Sequence, residues 1–295
     1  MIDVAFRLGS RVCDFRNRRV VIQAERKFRN PPDWCRSIAF SPKDEWEPSI
    51  RNGLAKWPIK VVFGELVDLN LDDFDLVVPL RLDDVRWFAS QSDVNERNPI
   101  RVPRAELIEL CDDKPAFDRA LAAAGLGRHA ASHNSTTYPY ILKPRRGTWS
   151  VGTHIVRNEA DEHSLSEQLH DPNYFTQSLI SGCKEYATHI NFADDRVVSE
   201  LTIEYRFATP TPIKFQDRAL SRYVRCPDLK TLVAILRALN YEGLCCFNYK
   251  LLDGVGPVVF ELNPRFGGSL AELFFTFVGA ISYPRNGRGG GASSL

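Results

Sequence analysis

The most informative segment of this chain is Val258-Val259-Phe260-Glu261-Leu262-Asn263-Pro264-Arg265-Phe266-Gly267-Gly268-Ser269. Its first half is an apolar run that predicts a strand ending before the proline. Side chains two residues apart on a strand point to the same face, so Glu261 and Asn263 project together while Leu262 faces the core. The segment therefore predicts two oxygen-bearing side chains side by side at the end of a strand.

The preceding strand adds a third oxygen ligand. Asn248 lies before a turn at Asp253-Gly254, and a hairpin there brings it beside Glu261 and Asn263. One carboxylate and two amide oxygens suit Mg²⁺, which prefers hard oxygen ligands and shares its shell with phosphate and water. Arg265 is placed to hold a phosphoryl oxygen or a carboxylate bidentately. The alternative interpretation is that the carboxylate and amides are hydrogen-bonded turn formers.

Length and composition exclude several classes of protein. The 295 residues are enough for about two domains, and 44% hydrophobic with 25% charged residues is typical of a soluble globular chain. The net charge is +1, from 38 Lys and Arg against 37 Asp and Glu, so no overall field points to nucleic acid or an acidic membrane. The seven cysteines form no CxxC pair, which indicates reduced thiols and favours the cytoplasm. Neither a membrane span nor a signal peptide is predicted.

The pattern along the chain predicts an α/β (α+β) fold in four parts. The predicted parts are a small N-terminal α/β domain at 1–110, a linking helix and small lobe at 111–180, a C-terminal lobe at 181–280, and a disordered glycine-rich tail at 281–295. The first part contains a basic cluster between Arg16 and Arg29, interpreted either as a solvated face or as a site for an acidic partner. In the second part, Asp113 and Pro115 predict the start of a helix that ends at Gly125.

Four segments, taken in their order along the chain, resemble the ATP-grasp enzymes. The likeness is strongest to the carbamoyl-phosphate synthetase large-chain type. Besides residues 258–269, they are Ile141-Leu142-Lys143-Pro144, Gln177-Ser178-Leu179-Ile180-Ser181-Gly182-Cys183-Lys184-Glu185-Tyr186, and Asp113-Lys114 with its helix. The likeness covers about residues 111–278, and the Val78-Pro79-Leu80 region resembles, more weakly, the small domain that precedes the grasp. The resemblance implies an ATP-grasp fold with an N-terminal pre-grasp domain.

The resemblance also implies residue roles. The expected cofactor-binding residues are Lys114, Lys143, Gln177, Ser178, Leu179, Ile180 and Glu185; the expected catalytic residues are Arg265 and Lys143; and the expected metal ligands are Asn248, Glu261 and Asn263. The lysines would hold the phosphates of ATP, the hinge at 177–180 would hold adenine, and Glu185 would accept hydrogen bonds from ribose. The metal would be Mg²⁺ or Mn²⁺.

The activity implied by the resemblance is an ATP-dependent carboxylate–amine (or thiol) ligase that forms an acyl phosphate. Its partners would be small-molecule carboxylates and amines, with neither nucleic acid nor membrane, and an oligomer is possible. The first alternative is a nucleotide-binding pseudoenzyme or truncated module without ligase activity. A second alternative is a kinase on the same fold, which would transfer phosphate to a hydroxyl group.

The sequence departs from the family pattern in places. Gln177 replaces a more usual Glu, Ser181 is an extra hinge residue, and the phosphate loop at 145–150 contains one glycine. Arg145 and Arg146 would then supply charge to the phosphates, and Trp149 would cap the site or simply pack. The neutral Asn248 should weaken metal binding. A basic segment from Tyr205 through Lys214, Arg218 and Arg222 predicts a loop that binds a carboxylate substrate.

Overall fold

The computed structural model describes residues 34–147 and 150–281. The basic cluster between Arg16 and Arg29, Trp149, and residues 282–295 of the predicted tail lie outside the described residues. Within the described ranges, none of the helices has the length and apolar character that a membrane crossing needs.

The N-terminal part is a three-stranded parallel sheet with helices packed against it. Its elements are β1 (Ser37–Phe40), α1 (Glu47–Leu54), β2 (Lys60–Phe63), short 3₁₀ turns at Leu66–Asp68 and Leu71–Asp73, β3 (Leu76–Val78), α2 (Leu82–Ser90), α3 (Ser92–Arg97) and α4 (Ala105–Asp112). The strand order is β2-β1-β3. The central strand β1 is one of the elements that the sequence analysis did not predict. It has only four residues, and three of them are buried. The strand is therefore too short for an alternating pattern to be recognised.

A helix links this part to the rest of the chain. Helix α5 (Lys114–Ala123) begins as predicted, because the carboxylate of Asp113 accepts a hydrogen bond from the backbone N–H of Ala116 at 3.1 Å. Gly125 follows the helix with φ of +73°, a conformation that glycine adopts without steric cost. A 3₁₀ turn at Gly127–His129 comes next.

The rest of the chain forms two antiparallel sheets. The small sheet has the order β5-β4-β6, and the large sheet has the order β11-β10-β7-β8-β9. The elements are β4 (Tyr140–Pro144), β5 (His154–Val156), α6 (Glu159–Ser164), α7 (Ser166–His170), β6 (Tyr174–Ser178), β7 (Lys184–Ala193), β8 (Arg196–Phe207), β9 (Ala219–Val224), α8 (Leu229–Ala238), β10 (Gly243–Leu252), β11 (Gly256–Asn263), a 3₁₀ helix at Gly268–Leu273 and α9 (Phe275–Ala280).

The hydrophobic cores explain how the sheets are held. Helix α8 packs Leu232, Ile235 and Leu236 under one face of the large sheet, which leaves the opposite face for the site. The chain after β11 packs on the N-terminal part, where Phe266 and Phe274 share a core with Phe40 of β1. The N-terminal part is therefore fastened to the end of the large sheet.

Candidate active site

The small sheet carries one buried lysine toward the site. Lys143 and Phe175 are paired across β4 and β6, and the ammonium nitrogen of Lys143 lies 5.4 Å from the centre of the Phe175 ring. Tyr140 and Leu142 are on the opposite face, in a separate small core. Burial and the nearby ammonium group of Lys114 lower the pKa of Lys143. Anionic phosphate groups would offset both effects on the pKa. Phosphate binding is the role that the sequence analysis expects for Lys143.

Lys114 reaches the same place from the first residue of α5. Its Nζ donates to the carbonyl oxygens of Gly147 at 3.2 Å and Arg145 at 3.4 Å. The side chain is buried and thus ties the helix to the loop that follows β4. The structure brings the two predicted phosphate-binding lysines together at one end of the small sheet.

The predicted hinge connects the two sheets. Ser178 ends β6, and its backbone N–H donates to Ser132 at 2.8 Å. Leu179 and Ile180 are half-buried, and the carbonyl oxygen of Ile180 accepts a hydrogen bond from the Nζ of Lys250 at 2.8 Å. Lys250 is a buried side chain of β10 that the sequence analysis missed.

The large sheet carries the predicted ribose and metal residues on one face. Asn248 of β10 is paired directly with Glu261 of β11 and, on its other side, with Ala187 of β7. Glu185 lies two residues from Ala187 on the same face of β7 and is buried. Asn263 follows two residues after Glu261. The strand register thus places these oxygen-bearing side chains in neighbouring rows.

The metal ligands predicted from sequence fit a cation in part. Asn248, Glu261 and Asn263 offer hard oxygen atoms, the donor type that Mg²⁺ prefers, but they supply only one formal negative charge. Among the described residues, no group of three or more His, Cys, Asp and Glu side chains is arranged to hold a metal ion. Phosphate oxygens would have to complete the coordination shell.

Lys214 occupies the space between the predicted ribose and metal residues. Its Nζ donates to Asn248 Oδ1 at 2.9 Å and lies 3.5 Å from Glu185 Oε1, and it stands 4.2 Å from the centre of the Tyr205 ring. Burial alone would lower its pKa, but Tyr205 and Glu185 outweigh this and the pKa is raised. Lys214 is a cation held over the site by a loop between β8 and β9.

The predicted substrate loop is shorter than expected. Strand β8 continues to Phe207 and β9 begins at Ala219, so Tyr205 and Arg222 lie on strands. The prediction that Arg222 belongs to a substrate-binding loop is wrong, because its Nε donates to Glu204 at 2.8 Å across the two strands. Of this segment, Lys214 reaches the site from the loop and Tyr205 from β8, where it is paired with Glu185.

Arg265 lines an open cavity beside the predicted metal residues. This cavity has a volume of about 260 Å³, and its walls include Lys114, Gly147, Glu261, Asn263 and Arg265. The guanidinium group donates to the carbonyl oxygen of Phe266 at 2.9 Å and lies 5.7 Å from the centre of the Trp46 ring. Burial lowers its pKa. Arg265 therefore has further N–H donors beside Glu261 and Asn263.

The two arginines of the phosphate loop are engaged elsewhere. Arg145 donates to Asp113 at 2.7 Å, and Arg146 donates to Glu109 at 2.8 Å. Both ion pairs hold the start of the loop against helices α4 and α5. These ion pairs tie the loop to the two helices, and the prediction that the arginines supply charge to phosphates stays a prediction.

A buried histidine is the other residue of this face that the sequence analysis did not single out. His189 Nε2 is 2.8 Å from the hydroxyl of Ser269 and 3.8 Å from Cys246 Sγ. Burial, with Lys214 and Arg265 nearby, lowers the pKa of His189 to about 3, so the ring is neutral. A Cβ on Gly267 would lie 2.6 Å from this ring, which explains why the Gly-Gly-Ser turn needs a glycine there.

Comparison with solved structures shows the fold. D-alanine–D-alanine ligase from Bacillus anthracis matches with a TM-score of 0.55 and 17% identity, over 83% of this chain and 97% of that one. N5-carboxyaminoimidazole synthetase from Staphylococcus aureus, complexed with ADP, gives 0.57 and 13%, over 86% and 80%. L-amino acid ligase from Bacillus licheniformis gives 0.55 and 16%, over 82% and 70%. The chain has the ATP-grasp fold, which confirms the α/β fold class expected from its motifs. The finer likeness to the carbamoyl-phosphate synthetase type stays a prediction.

Sequence comparisons add little about activity. No family model matches the chain. One curated relative, an uncharacterized protein named y4rH from Sinorhizobium fredii, is 29% identical over 213 residues. The match covers 59% of this chain and 41% of the relative, so the chain spans about two fifths of that protein.

Proposed function

We propose that the protein is an ATP-dependent ligase that joins a small carboxylate to an amine or thiol through an acyl phosphate. The observation that carries the proposal is the single cavity that Lys114 shares with Glu261, Asn263 and Arg265. A lysine at the start of the linking helix that is predicted to bind phosphate thus lines the same cavity as the residues predicted to act on it at the end of β11. The ligase names of the similar structures support the same class of reaction.

The first step is phosphoryl transfer. A carboxylate oxygen of the substrate attacks the γ-phosphorus of ATP, the bond to the β,γ-bridging oxygen breaks, and ADP leaves. Lys114 and Lys143 hold the phosphates, while Glu185 binds ribose and residues 178–180 pack against the base. Arg265 donates to the transferred group, so that charge developing on its oxygens meets a fixed cation in a partly buried site.

The second step joins the two substrates. The amine attacks the acyl carbon, the carbon–oxygen bond to phosphate breaks, and the amine proton leaves to solvent. Asn248, Glu261 and Asn263 would hold Mg²⁺ or Mn²⁺, which neutralises phosphate charge when bound. Lys214 must release Asn248 Oδ1 for that ligand to become available. The main contribution of the chain is to orient the reactants and exclude water.

The proposal is tested by phosphate release from Mg-ATP over a panel of carboxylates and amines, with wild type and Glu261→Ala compared. We expect release that requires one substrate pair and falls to background in the variant. The matched control is Glu242→Ala, which removes an exposed carboxylate that pairs with Arg101. Full turnover by Glu261→Ala would contradict the assignment of Glu261 as a metal ligand. A stable phosphorylated product would indicate a kinase.

A second candidate function is nucleotide binding without turnover. Lys214 already donates to Asn248, and the proposed metal set contains a single carboxylate. Both features weaken cation binding. Mg-ATP binding by calorimetry, without phosphate release over the whole panel, would favour this candidate.

A further inference from the structure

Trp46 joins the N-terminal part to the loop at 264–269, which follows β11 and carries Arg265. Its residue precedes helix α1, and it is 3% exposed. Its backbone carbonyl oxygen accepts a hydrogen bond from the N–H of Ile50 at 3.0 Å, which fixes it at the start of the helix. The ring centre lies 5.8 Å from that of Phe266 and 5.7 Å from the guanidinium carbon of Arg265. No step of the proposed reaction uses this residue.

The loop at 264–269 is shaped to admit the indole. A Cβ on Gly268 would lie 2.5 Å from Nε1 of Trp46 and 2.7 Å from its Cε2. Any larger residue would push the ring away, so the missing side chain is what lets the ring approach the loop backbone. Gly267 stands in the same relation to His189 of the large sheet. The two glycines therefore bring this loop against one aromatic ring from each part of the chain.

Arg265 is not held by an ion pair. Among the residues that the structure describes, its guanidinium group donates only to the carbonyl oxygen of Phe266, at 2.9 Å. Arg81 shows the opposite case, because all three of its side-chain nitrogens donate to Asp84 or Glu65. Arg265 therefore keeps most of its N–H donors for a ligand, whereas Arg81 does not.

Contact with an aromatic face orients an arginine without using its donors. The indole face attracts the guanidinium cation, while the five N–H groups lie in the guanidinium plane. A carboxylate in place of the ring would use those groups and offset the charge, which would oppose the binding of an anion. A second cation, the ammonium group of Lys43, lies 5.0 Å from the Trp46 ring, but it is paired with Glu45 at 3.1 Å. Trp46 thus restrains Arg265 and leaves its charge available.

We propose that Trp46 is a positioning residue that holds the guanidinium group of Arg265 toward the phosphoryl group that is transferred. The inference rests on the proposed function, since it takes Arg265 as the residue that donates to that group. The terminal phosphate distinguishes ATP from ADP, so an oriented Arg265 favours ATP. Without the aromatic face, Arg265 would sample several rotamers, and ordering them would cost part of the binding free energy.

The experiment is calorimetric binding of Mg-ATP and Mg-ADP to the full chain, with the ratio of the two affinities as the readout. Arg265→Gln should lower the preference for ATP by about ten-fold or more. Trp46→Leu should lower it several-fold, the size of a cation–π contact. Trp46→Phe keeps an aromatic face and should restore most of the preference. The ratio does not depend on the folded fraction, so a merely structural role would not move it.

Two comparisons separate positioning from packing. In the Arg265→Gln background, Trp46→Leu should have no further effect on the ratio, because the residue that it positions is gone. The matched control is Trp57→Leu. Trp57 belongs to the same core but stacks on Phe275, with the ring centres 5.7 Å apart. This control should lower the melting temperature and leave the ratio unchanged.

Each failure has a distinct meaning. If Arg265→Gln lowers the ratio and Trp46→Leu does not, this inference alone is overturned, and additive effects of the two substitutions would also overturn it. An unchanged ratio in Arg265→Gln would contradict the role of Arg265 in the proposed function, and the inference with it. Wild type that binds neither nucleotide would defeat both. If Trp46→Leu does not fold, Gly268→Ala decides, because its Cβ must displace the indole, and an unchanged ratio would contradict the inference.

Discussion

Two polar clusters lie on opposite faces of the large sheet, and they differ in how completely their charges are paired. The outer cluster consists of Tyr186, Glu204, Arg206 and Arg222. The inner cluster consists of Glu185, Asn248 and Glu261 on the large sheet, with Lys143 of the small sheet and Lys214 of the loop between β8 and β9. Strand β7 contributes to both, because the adjacent residues Glu185 and Tyr186 point to opposite faces.

Every charge of the outer cluster has a partner. Arg222 and Arg206 donate to Glu204 Oε1, and the hydroxyl of Tyr186 donates to its Oε2 at 3.2 Å. Burial alone would raise the pKa of Glu204, but the two arginines outweigh it and lower the pKa to about 2. Such a satisfied network stabilises the fold.

The inner cluster is left incomplete. Among the described residues, the side chains of Lys143 and Glu261 form no hydrogen bond, and Lys214 is shared between Asn248 and Glu185. Unpaired charge that is buried, as at Lys143, or half-buried, as at Glu261, is typical of a binding site that a ligand completes. The contrast indicates that one face of the sheet is built for stability and the other for a charged ligand.

The largest expected effect comes from the inner cluster. Glu261→Gln should lower the affinity for Mg-ATP at least a hundred-fold, because the only carboxylate of the proposed metal set loses its charge. The melting temperature of the free protein should change little, since Glu261 holds no hydrogen bond that stabilises the fold. Calorimetry and thermal unfolding of the same samples measure both quantities. An unchanged affinity would contradict the assignment.

The next effect comes from the outer cluster and concerns stability. Glu204→Gln should lower the free energy of unfolding by about 1–2 kcal/mol at pH 7, less than the full pKa shift implies because both arginines are partly exposed. The pKa of Glu204 is lower in the folded than in the unfolded state. Its stabilisation is therefore complete above about pH 4.5 and disappears as the pH falls toward 2.

Urea unfolding at pH 7, 4 and 3 tests this dependence. The difference between wild type and Glu204→Gln should shrink as the pH falls, and ATP affinity at pH 7 should stay unchanged. A difference as large at pH 3 as at pH 7 would show that packing, and not charge, is responsible.

The smallest expected effect is a gain in affinity for Mg-ATP. Asn248→Asp adds a second carboxylate to the proposed metal set and should tighten Mg-ATP binding several-fold, even though the new group also attracts Lys214. Titration of Mg²⁺ at fixed ATP gives the value. Weaker binding would mean that the pairing with Lys214 dominates, and that this position is not a metal ligand.

Local patterns in the sequence predicted the strands and the motif residues of the site. Three of these predictions depend only on neighbours within a few residues. They are the alternation around Glu261 and Asn263, the hairpin that carries Asn248, and the start of α5 at Asp113. The segment at 159–170 forms two short helices, α6 and α7, separated at Leu165. No local sequence pattern marks that break.

The residues that sequence reasoning missed or placed only loosely are brought together by tertiary contacts. Lys214 is 34 positions from Asn248, and His189 is 80 positions from Ser269. Asp118 and Gln177 are 59 positions apart. An aspartate inside a helix and a lysine in a loop are ordinary surface residues by composition, so only the fold shows that they are buried.

The most direct test is thermal unfolding of wild type, Glu261→Gln and Glu204→Gln with and without Mg-ATP. A ligand that binds only the folded state raises the melting temperature, so the shift reports binding. The account predicts that Glu261→Gln has nearly the melting temperature of wild type without ATP, and that Mg-ATP raises this temperature only slightly. Glu204→Gln should have a lower melting temperature than wild type but should show the full rise in melting temperature on addition of Mg-ATP. The reverse pattern, with stability lost in Glu261→Gln and the ATP shift lost in Glu204→Gln, would contradict the division of the two faces.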